Sequence, residues 1–212
     1  MLKLHHLVNS RSHRILWLLE ELGLDYELVT YPRDPKTGFA PPELKAIHPL
    51  GKSPLLEDRG RVIAESGAII DYVVRHHGKG RLAPAPDSAE YDTYVQWLHY
   101  AEGSAMLPFI LGIYMGRLGE AGAPLKPRIS GEMTNHLSYI AGALEKGPYL
   151  LGDAFSAADI QMSFVLEAAR PSGLLESFAP LGAYLDRLYA RPAFQRAVAR
   201  GGPVQVGGAG KR

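Results

Sequence analysis

The stretch His48-Pro49-Leu50-Gly51-Lys52-Ser53-Pro54-Leu55-Leu56, with Glu65-Ser66 shortly after it, restricts this chain more than any other. Leu55-Leu56 reads as the start of a strand, which puts Ser53-Pro54 at its first step. A proline cannot donate to a sheet ladder, so it is confined to a strand's first residue, an edge or a turn. Two conformations fit here. A trans proline makes a plain turn, whereas a cis bond turns the Ser53 backbone outward and leaves its N–H and C=O to pair with an extended peptide as a short added strand.

The residues beyond Leu56 sharpen that choice. Asp58-Arg59-Gly60 is a hairpin-turn signal, Val62-Ile63-Ala64 a second short strand, and Glu65-Ser66-Gly67 precedes the helical run from Ala68 to Val74. Glu65-Ser66 therefore stands at a helix N-terminus, where unpaired N–H groups and the positive dipole end favour a carboxylate. Ser66 suits a plain N-cap and equally a partner for a ligand carboxylate, while Glu65 suits an ammonium. A strand-like edge beside a site for an α-amino acid end describes a peptide-shaped ligand.

Around that centre the chain reads in order. Residues 2–8 alternate as a strand; Ile15, Leu18, Leu19 and Leu22 keep helical spacing, with Glu20 and Glu21 on another face and Gly23 as the stop. Tyr26 to Tyr31 is a second strand, Pro32, Pro35, Pro41 and Pro42 mark a loop over the ligand edge, and Pro42 to Ile47 is a short helix. The order βαβ, short helix, hairpin, helix predicts an α+β domain over 1–78 with a four-stranded mixed sheet. Residues 79–87 read as a linker, and 88–200 as an all-helical domain. In it, Ser88 to about Arg117 is one helix kinked or divided by Pro108, and Ile129 to Leu144 is another. Phe155-Ser156-Ala157-Ala158-Asp159 opens a third, with a capping-box-like Ser-x-x-Asp behind an apolar residue. Residues 178–199 add one or two helices divided near Arg191-Pro192, and 201–212, with five glycines, is a frayed tail.

Composition excludes several function classes. The 23 basic residues balance 22 acidic ones, so nothing argues for nucleic acid or an anionic membrane surface. With no cysteine there is no disulfide, thiolate metal site or cysteine nucleophile, and any thiol chemistry uses a thiol carried by the ligand. The N-terminus lacks a signal-peptide core and the apolar runs are short, so a soluble cytoplasmic protein is expected. Adjacent histidines at 5–6 and 76–77 project differently in either secondary structure, and no metal is assigned to them.

Lys52-Ser53-Pro54-Leu55-Leu56 with Glu65-Ser66 resembles the glutathione-binding half of the cytosolic glutathione S-transferases. Residues 9–22, from Asn9-Ser10-Arg11-Ser12 onward, are similar to the first βα turn of the serine-type members, and Ala40 to Gly51 to their Pro-Pro-Glu-Leu-Lys loop. The resemblance spans both halves of the chain. It implies a thioredoxin-like first domain with a cis proline at Pro54, an all-helical second domain, a Glu65-Ser66 pair gripping the γ-glutamyl group, and a homodimer. It also implies detoxification of a hydrophobic electrophile by conjugation to glutathione. A glutathione-dependent isomerase or peroxidase on the same fold, and a non-catalytic glutathione-binding module, are the alternatives.

The chemistry then needs a thiolate. A free thiol ionises near ~8.5, and lowering that by about two units requires roughly 2.7 kcal/mol of preference for the anion. A helix N-terminus supplies ~0.3–2 kcal/mol and one hydrogen bond to a charged group ~1.5–3 kcal/mol, so the dipole needs a side-chain donor beside it. Ser10 best matches the catalytic serine of the resembling classes. Asn9 is the rival donor, and Ser12 reads mainly as an N-cap. Lys52, helped by Arg33 or Lys36, is placed to meet the glycine carboxylate. For the electrophile an apolar pocket between the domains is expected, lined by Tyr100, Met106, Leu107, Phe109 and Tyr114, although aromatics at such spacing also suit a core.

Overall fold

A computed structural model describes residues 1–204. In chain order these form β1 (Leu2–Leu7), α1 (Ser12–Leu22), β2 (Tyr26–Tyr31), α2 (Leu44–Ile47), β3 (Leu55–Asp58), β4 (Arg61–Ala64), α3 (Ser66–His77), α4 (Ala89–Tyr100), α5 (Leu107–Leu118), α6 (Lys126–Ala143), α7 (Ala157–Ala169), α8 (Ala179–Tyr189) and α9 (Pro192–Gly201). The chain divides into two compact units. The first is Met1–Leu82 together with the segment that begins at Tyr189, and the second contains Ala83–Leu188.

The first unit is built on a mixed sheet of order β2-β1-β3-β4. β1 runs parallel to β2 and antiparallel to β3, and β3 turns into β4 antiparallel with Asp58 opposite Arg61. Arg59 and Gly60 between them take φ of 50° and 74°, the pair of positive angles that a two-residue hairpin matching strand twist requires. α1 is buried on almost every side, with Ile15, Leu16, Trp17, Leu18 and Leu19 all shielded from solvent, and Gly23 ends it at φ 60°.

The two carboxylates on the other face of α1, Glu20 and Glu21, hold partners from α9. Glu21 takes Arg191 in two bonds of 2.6 and 3.1 Å, and Glu20 takes Arg196 at 2.8 Å and Arg200 at 3.0 Å. Phe194 adds an edge-on contact to Trp17, 5.2 Å between centroids. These forked ion pairs and the aromatic contact hold α9 against α1. The sequence division at residue 200 therefore needs correcting: α9 packs with the first unit because its arginines and Phe194 find partners there. The tail expected from Gly201 does not start there, since Gly201 is the last, buried residue of α9. The rest of that expectation, from Gln205 on, lies outside the described residues.

In the second unit α7 is the central helix, buried from Ala157 to Glu167. The helix expected from Ser88 to Arg117 breaks earlier than Pro108 itself. Residues Ala101–Ala105 widen into a π-helical turn, with Met106 N–H reaching Ala101 O at 3.0 Å. A proline ring collides with the carbonyl four residues back, here that of Ser104, so the chain relaxes in the turn before Pro108. α5 is apolar in sequence yet open. Leu107, Leu111, Ile113, Tyr114 and Leu118 are all exposed. Among the described residues no helix is long and apolar enough to cross a membrane.

Candidate active site

The Ser53-Pro54 bond is cis, and Pro54 is buried. The β1–β3 ladder pairs Lys3 with Glu57, Leu4 with Leu56 and His5 with Leu55, then stops. Past that point the Ser53 side chain takes over. Its Oγ accepts the Leu7 N–H at 3.2 Å and donates to His5 O at 2.9 Å. The Ser53 main chain makes no hydrogen bond among the described residues, so its N–H and C=O are available as the short edge expected from the sequence.

At the N-terminus of α3, Glu65 occupies the cap position at φ 69° and makes no side-chain cap bond. Its side chain is exposed, whereas Ser66 is buried as the first helical residue. Ser66 is therefore not the N-cap. Its Oγ faces Arg14 Nη1 at 3.5 Å, and Arg14 is 1% exposed, an almost fully buried cation behind a helix N-terminus. Uncapped N–H groups backed by a guanidinium form a local positive field suited to a carboxylate. Lys52 is exposed on the loop just ahead of β3.

The corner between β1 and α1 gathers three side chains. Ser10 Oγ lies 2.8 Å from Ser12 Oγ and accepts the Ser12 N–H at 3.2 Å. Ser12 Oγ also meets Leu7 O at 3.1 Å and His6 Nδ1 at 2.9 Å. The expectation that Ser12 caps α1 needs correcting: the cap position is Arg11, without a side-chain cap bond, and the Ser12 hydroxyl points back to β1. Asn9, the rival donor, sits at φ 54° with its carbonyl gripped by Arg33 at 2.6 Å. Arg33 also donates to Val8 O at 3.2 Å and Gly38 O at 2.8 Å. Three carbonyls hold Arg33, so it ties the proline-rich loop to the corner rather than reaching for a ligand carboxylate as expected.

His5 and His6 face opposite ways. His5 bonds Glu57 at 2.6 Å and Tyr31 at 2.9 Å, whereas His6 turns toward Ser12 and, through Nε2, to Gly201 O at 3.0 Å. Burial lowers the His6 pKa, against the Gly201 carbonyl that raises it. His13 on α1 is driven down to about 4 by burial first and by the nearby His6 second.

The residues expected to line the electrophile pocket do not share one environment. Met106 and Phe109 are core residues of the second unit, 2% and 3% exposed, while Leu107 and Tyr114 stand open on α5. Tyr100 is half-buried, hydrogen-bonded to His136 Nδ1 at 2.6 Å. A cavity of 490 Å³ in this unit lies over Glu90, Gln96, Trp97, Tyr139 and Lys146, and none of the five expected residues lines it.

A mixed sheet with a cis proline at a strand start and an open edge, together with a helical unit, defines the class: a thioredoxin-like ligand-binding domain joined to helices. Residues 1–75 match the family Glutathione S-transferase, N-terminal domain, and residues 92–192 match Glutathione S-transferase, C-terminal domain. The chain belongs to the glutathione S-transferase family and is an enzyme of that class. It is 37% identical over 190 residues to Glutathione S-transferase 1 of Saccharomyces cerevisiae, covering 80% of this chain and 81% of that one. To Glutathione S-transferase 3 of Schizosaccharomyces pombe it is 39% identical over 184 residues, covering 80% and 75%. A solved glutathione S-transferase of Actinobacillus pleuropneumoniae superposes with TM-score 0.88 at 34% identity, covering 97% of this chain and 94% of that one. A Pseudomonas fluorescens family member, solved with two glutathione bound, superposes at TM-score 0.80 and 26% identity over 93% and 92% of the chains.

Two residues escaped the sequence reading. Arg14 drew no role from the sequence, and only its distance from Ser66 gives it a task. His6 drew notice only as half of a histidine pair, although the alternation of a strand already sends adjacent side chains to opposite faces.

Proposed function

We propose that the protein conjugates the thiolate of glutathione to a hydrophobic electrophile, with Ser10 as the hydrogen-bond donor to the sulfur. The observation that carries this reading is the convergence, at the end of β1, of the Ser10 hydroxyl with the N-terminus of α1. Those are the two contributions whose sum reaches the roughly 2.7 kcal/mol that a useful thiolate needs, where either alone falls near or below it. Glutathione lies extended along the Ser53 edge, its γ-glutamyl end at Glu65 and Ser66 with Arg14 behind, and its glycine carboxylate toward Lys52. Support for the ligand comes from the family and from the solved relative that holds glutathione.

The reading extends to a cytoplasmic homodimer engaged in detoxification, supported by the family likeness. Light scattering on the purified protein tests the dimer. The experiment for the activity is an ultraviolet titration of the thiolate of bound glutathione. A pKa clearly below the free thiol's ~8.5 is expected. Binding with an ordinary thiol pKa, or no binding at all, defeats the reading.

A further inference from the structure

We propose that Ser10, Ser12 and His6 form a buried relay that takes the thiol proton of bound glutathione to His6 Nδ1, leaving a thiolate on Ser10 and an imidazolium on the Gly201 carbonyl. The proposal rests on the reading of Ser10 as the partner of the thiol and names where that thiol's proton goes.

The direction of each hydrogen is set from the far end. Gly201 O can only accept, so His6 Nε2, 3.0 Å away, carries a hydrogen and the neutral ring presents its lone pair at Nδ1. Ser12 Oγ donates to that lone pair at 2.9 Å; Leu7 O, at 3.1 Å, is the longer of the two contacts open to the same hydrogen. With its hydrogen so placed, Ser12 accepts from Ser10 at 2.8 Å. Ser10 Oγ uses one lone pair on the Ser12 N–H, and the other is left for a thiol S–H. Every hydroxyl hydrogen in the series thus points from the sulfur side toward His6.

Transfer is a concerted shift. The S–H bond breaks and its hydrogen bonds to Ser10 Oγ; the Ser10 hydrogen passes to Ser12, and the Ser12 hydrogen to Nδ1. Both serines end as neutral hydroxyls. Ser10 now donates to the thiolate, as activation requires, and the imidazolium carries a hydrogen on each nitrogen. Before the shift the Ser10 hydrogen is committed to Ser12, so the relay supplies the donor that a fixed hydroxyl would lack.

The surroundings bear on the cation. Burial opposes it, since His6 is 0% exposed. Against that, Gly201 O belongs to the last turn of α9, where unpaired carbonyls and the negative dipole end favour an imidazolium. Among the groups packed around it, β2 sets Thr30 opposite His6, which does not titrate. On α1, His13 is held neutral well below pH 6. On α9, Arg200 is turned to Glu20 at 3.0 Å. The contact with Gly201 is built for closeness: a Cβ there would lie 2.9 Å from His6 Nε2 and 2.5 Å from Leu16 Cδ2.

The test uses the full chain and glutathione itself. The heat of glutathione binding is measured at neutral pH in buffers of different ionisation enthalpy, with thiolate counted by ultraviolet absorbance, and the His6 ring is tracked by nitrogen-15 NMR. The relay predicts thiolate formation with little proton release to the buffer and a His6 signal that becomes imidazolium on binding. One proton released per thiolate, with His6 still neutral, overturns it. Ser12→Ala should restore proton release and lower the ratio of bound thiolate to bound thiol about tenfold, a rise of about one pH unit in the thiol pKa. An unchanged thiolate fraction in Ser12→Ala also counts against the relay. Ser10→Ala separates the two readings. If it leaves the bound thiol's pKa where it was, Ser10 itself is misassigned; if it raises that pKa while the unmodified protein releases its proton and His6 stays neutral, only the relay fails.

Discussion

Two helix N-termini in this protein use similar residues to opposite ends. α7 closes on itself: Ser156 Oγ accepts the Ala158 N–H at 3.3 Å, and Asp159 accepts the Ser156 N–H at 2.8 Å, the Leu150 N–H at 2.9 Å and the Tyr184 O–H at 2.6 Å. α3 also begins at an acidic residue and a serine, but Glu65 makes no cap bond and the Ser66 hydroxyl faces buried Arg14. The donors of α7 are spent on the fold, while those of α3 are free of any side-chain cap. A helix start that satisfies its own donors is a folding device. One left uncapped, with a cation behind it, is suited to a carboxylate from outside.

The largest effect expected is on the closed terminus. Asp159→Ala would strand the Leu150 N–H and Tyr184 O–H without partners in a site where Asp159 is 0% exposed. A loss of about 3–5 kcal/mol in denaturant unfolding is expected, the range for breaking a buried charged network from one side. A loss below about 1 kcal/mol would mean that the capping box is not what holds α7, and the contrast with α3 would collapse.

α1 extends the comparison, because its N-terminus also lacks a side-chain cap, and its second residue, His13, is buried and lowered to about 4. In the unfolded chain the same imidazole titrates near 6.5, so between those values the unfolded state binds a proton that the folded state does not. Stability is therefore whole above about pH 6.5 and is lost as the pH falls toward 4, by on the order of 3 kcal/mol from this group. His13→Leu should flatten that acid limb in thermal unfolding measured from pH 7 to 4. An unchanged limb would assign the acid sensitivity elsewhere.

The contrast was only half legible in the sequence. Ser156-x-x-Asp159 is a local pattern whose partners lie within one turn, and the sheet was legible because strand alternation and the Asp58-Arg59-Gly60 turn act over a few residues. Ser53-Pro54 announced an edge for the same reason: proline limits its own neighbourhood. The misread residues depend on distant partners. Ser12 looked like a cap because its tie to His6 is set by how β1 lies under α1, and His6 gained its second partner from a residue 195 positions away. Arg33 looked like a ligand cation because its three carbonyl partners appear only when the proline-rich loop folds over the corner. Likewise α9 read as part of the helical domain, since nothing local says that Glu20 and Glu21 will hold its arginines.

Ser66→Ala carries the comparison to the open terminus. It should leave unfolding within about 1 kcal/mol of the unmodified protein while weakening glutathione by roughly tenfold to a hundredfold, the value of a hydrogen bond to a charged group. Calorimetric titration with glutathione, alongside denaturant unfolding, separates the two. If Ser66→Ala destabilised the fold as much as Asp159→Ala does, both termini would be folding devices and the γ-glutamyl site would have to be sought elsewhere.

The last expected effect matches that of Ser66→Ala in size and is the most specific, because it concerns one proton. Ser10 and Asn9 both stand ahead of α1, and the helix dipole acts on a nearby sulfur whichever of them donates. Removing the true donor should therefore raise the bound thiol's pKa by about one to two units, and the dipole's share should persist. Glutathione affinity should change little, since the γ-glutamyl and glycine ends supply most of the grip. Ser10→Ala is expected to show this rise in an ultraviolet titration of the bound thiol, and Asn9→Ala to leave the pKa in place. The reverse result would move the donor to Asn9 and make the Ser10 hydroxyl a partner of the α1 N-terminus alone. In that event α1 would join α7 as a helix start whose serine serves the fold, and α3 would be the one open terminus of the three.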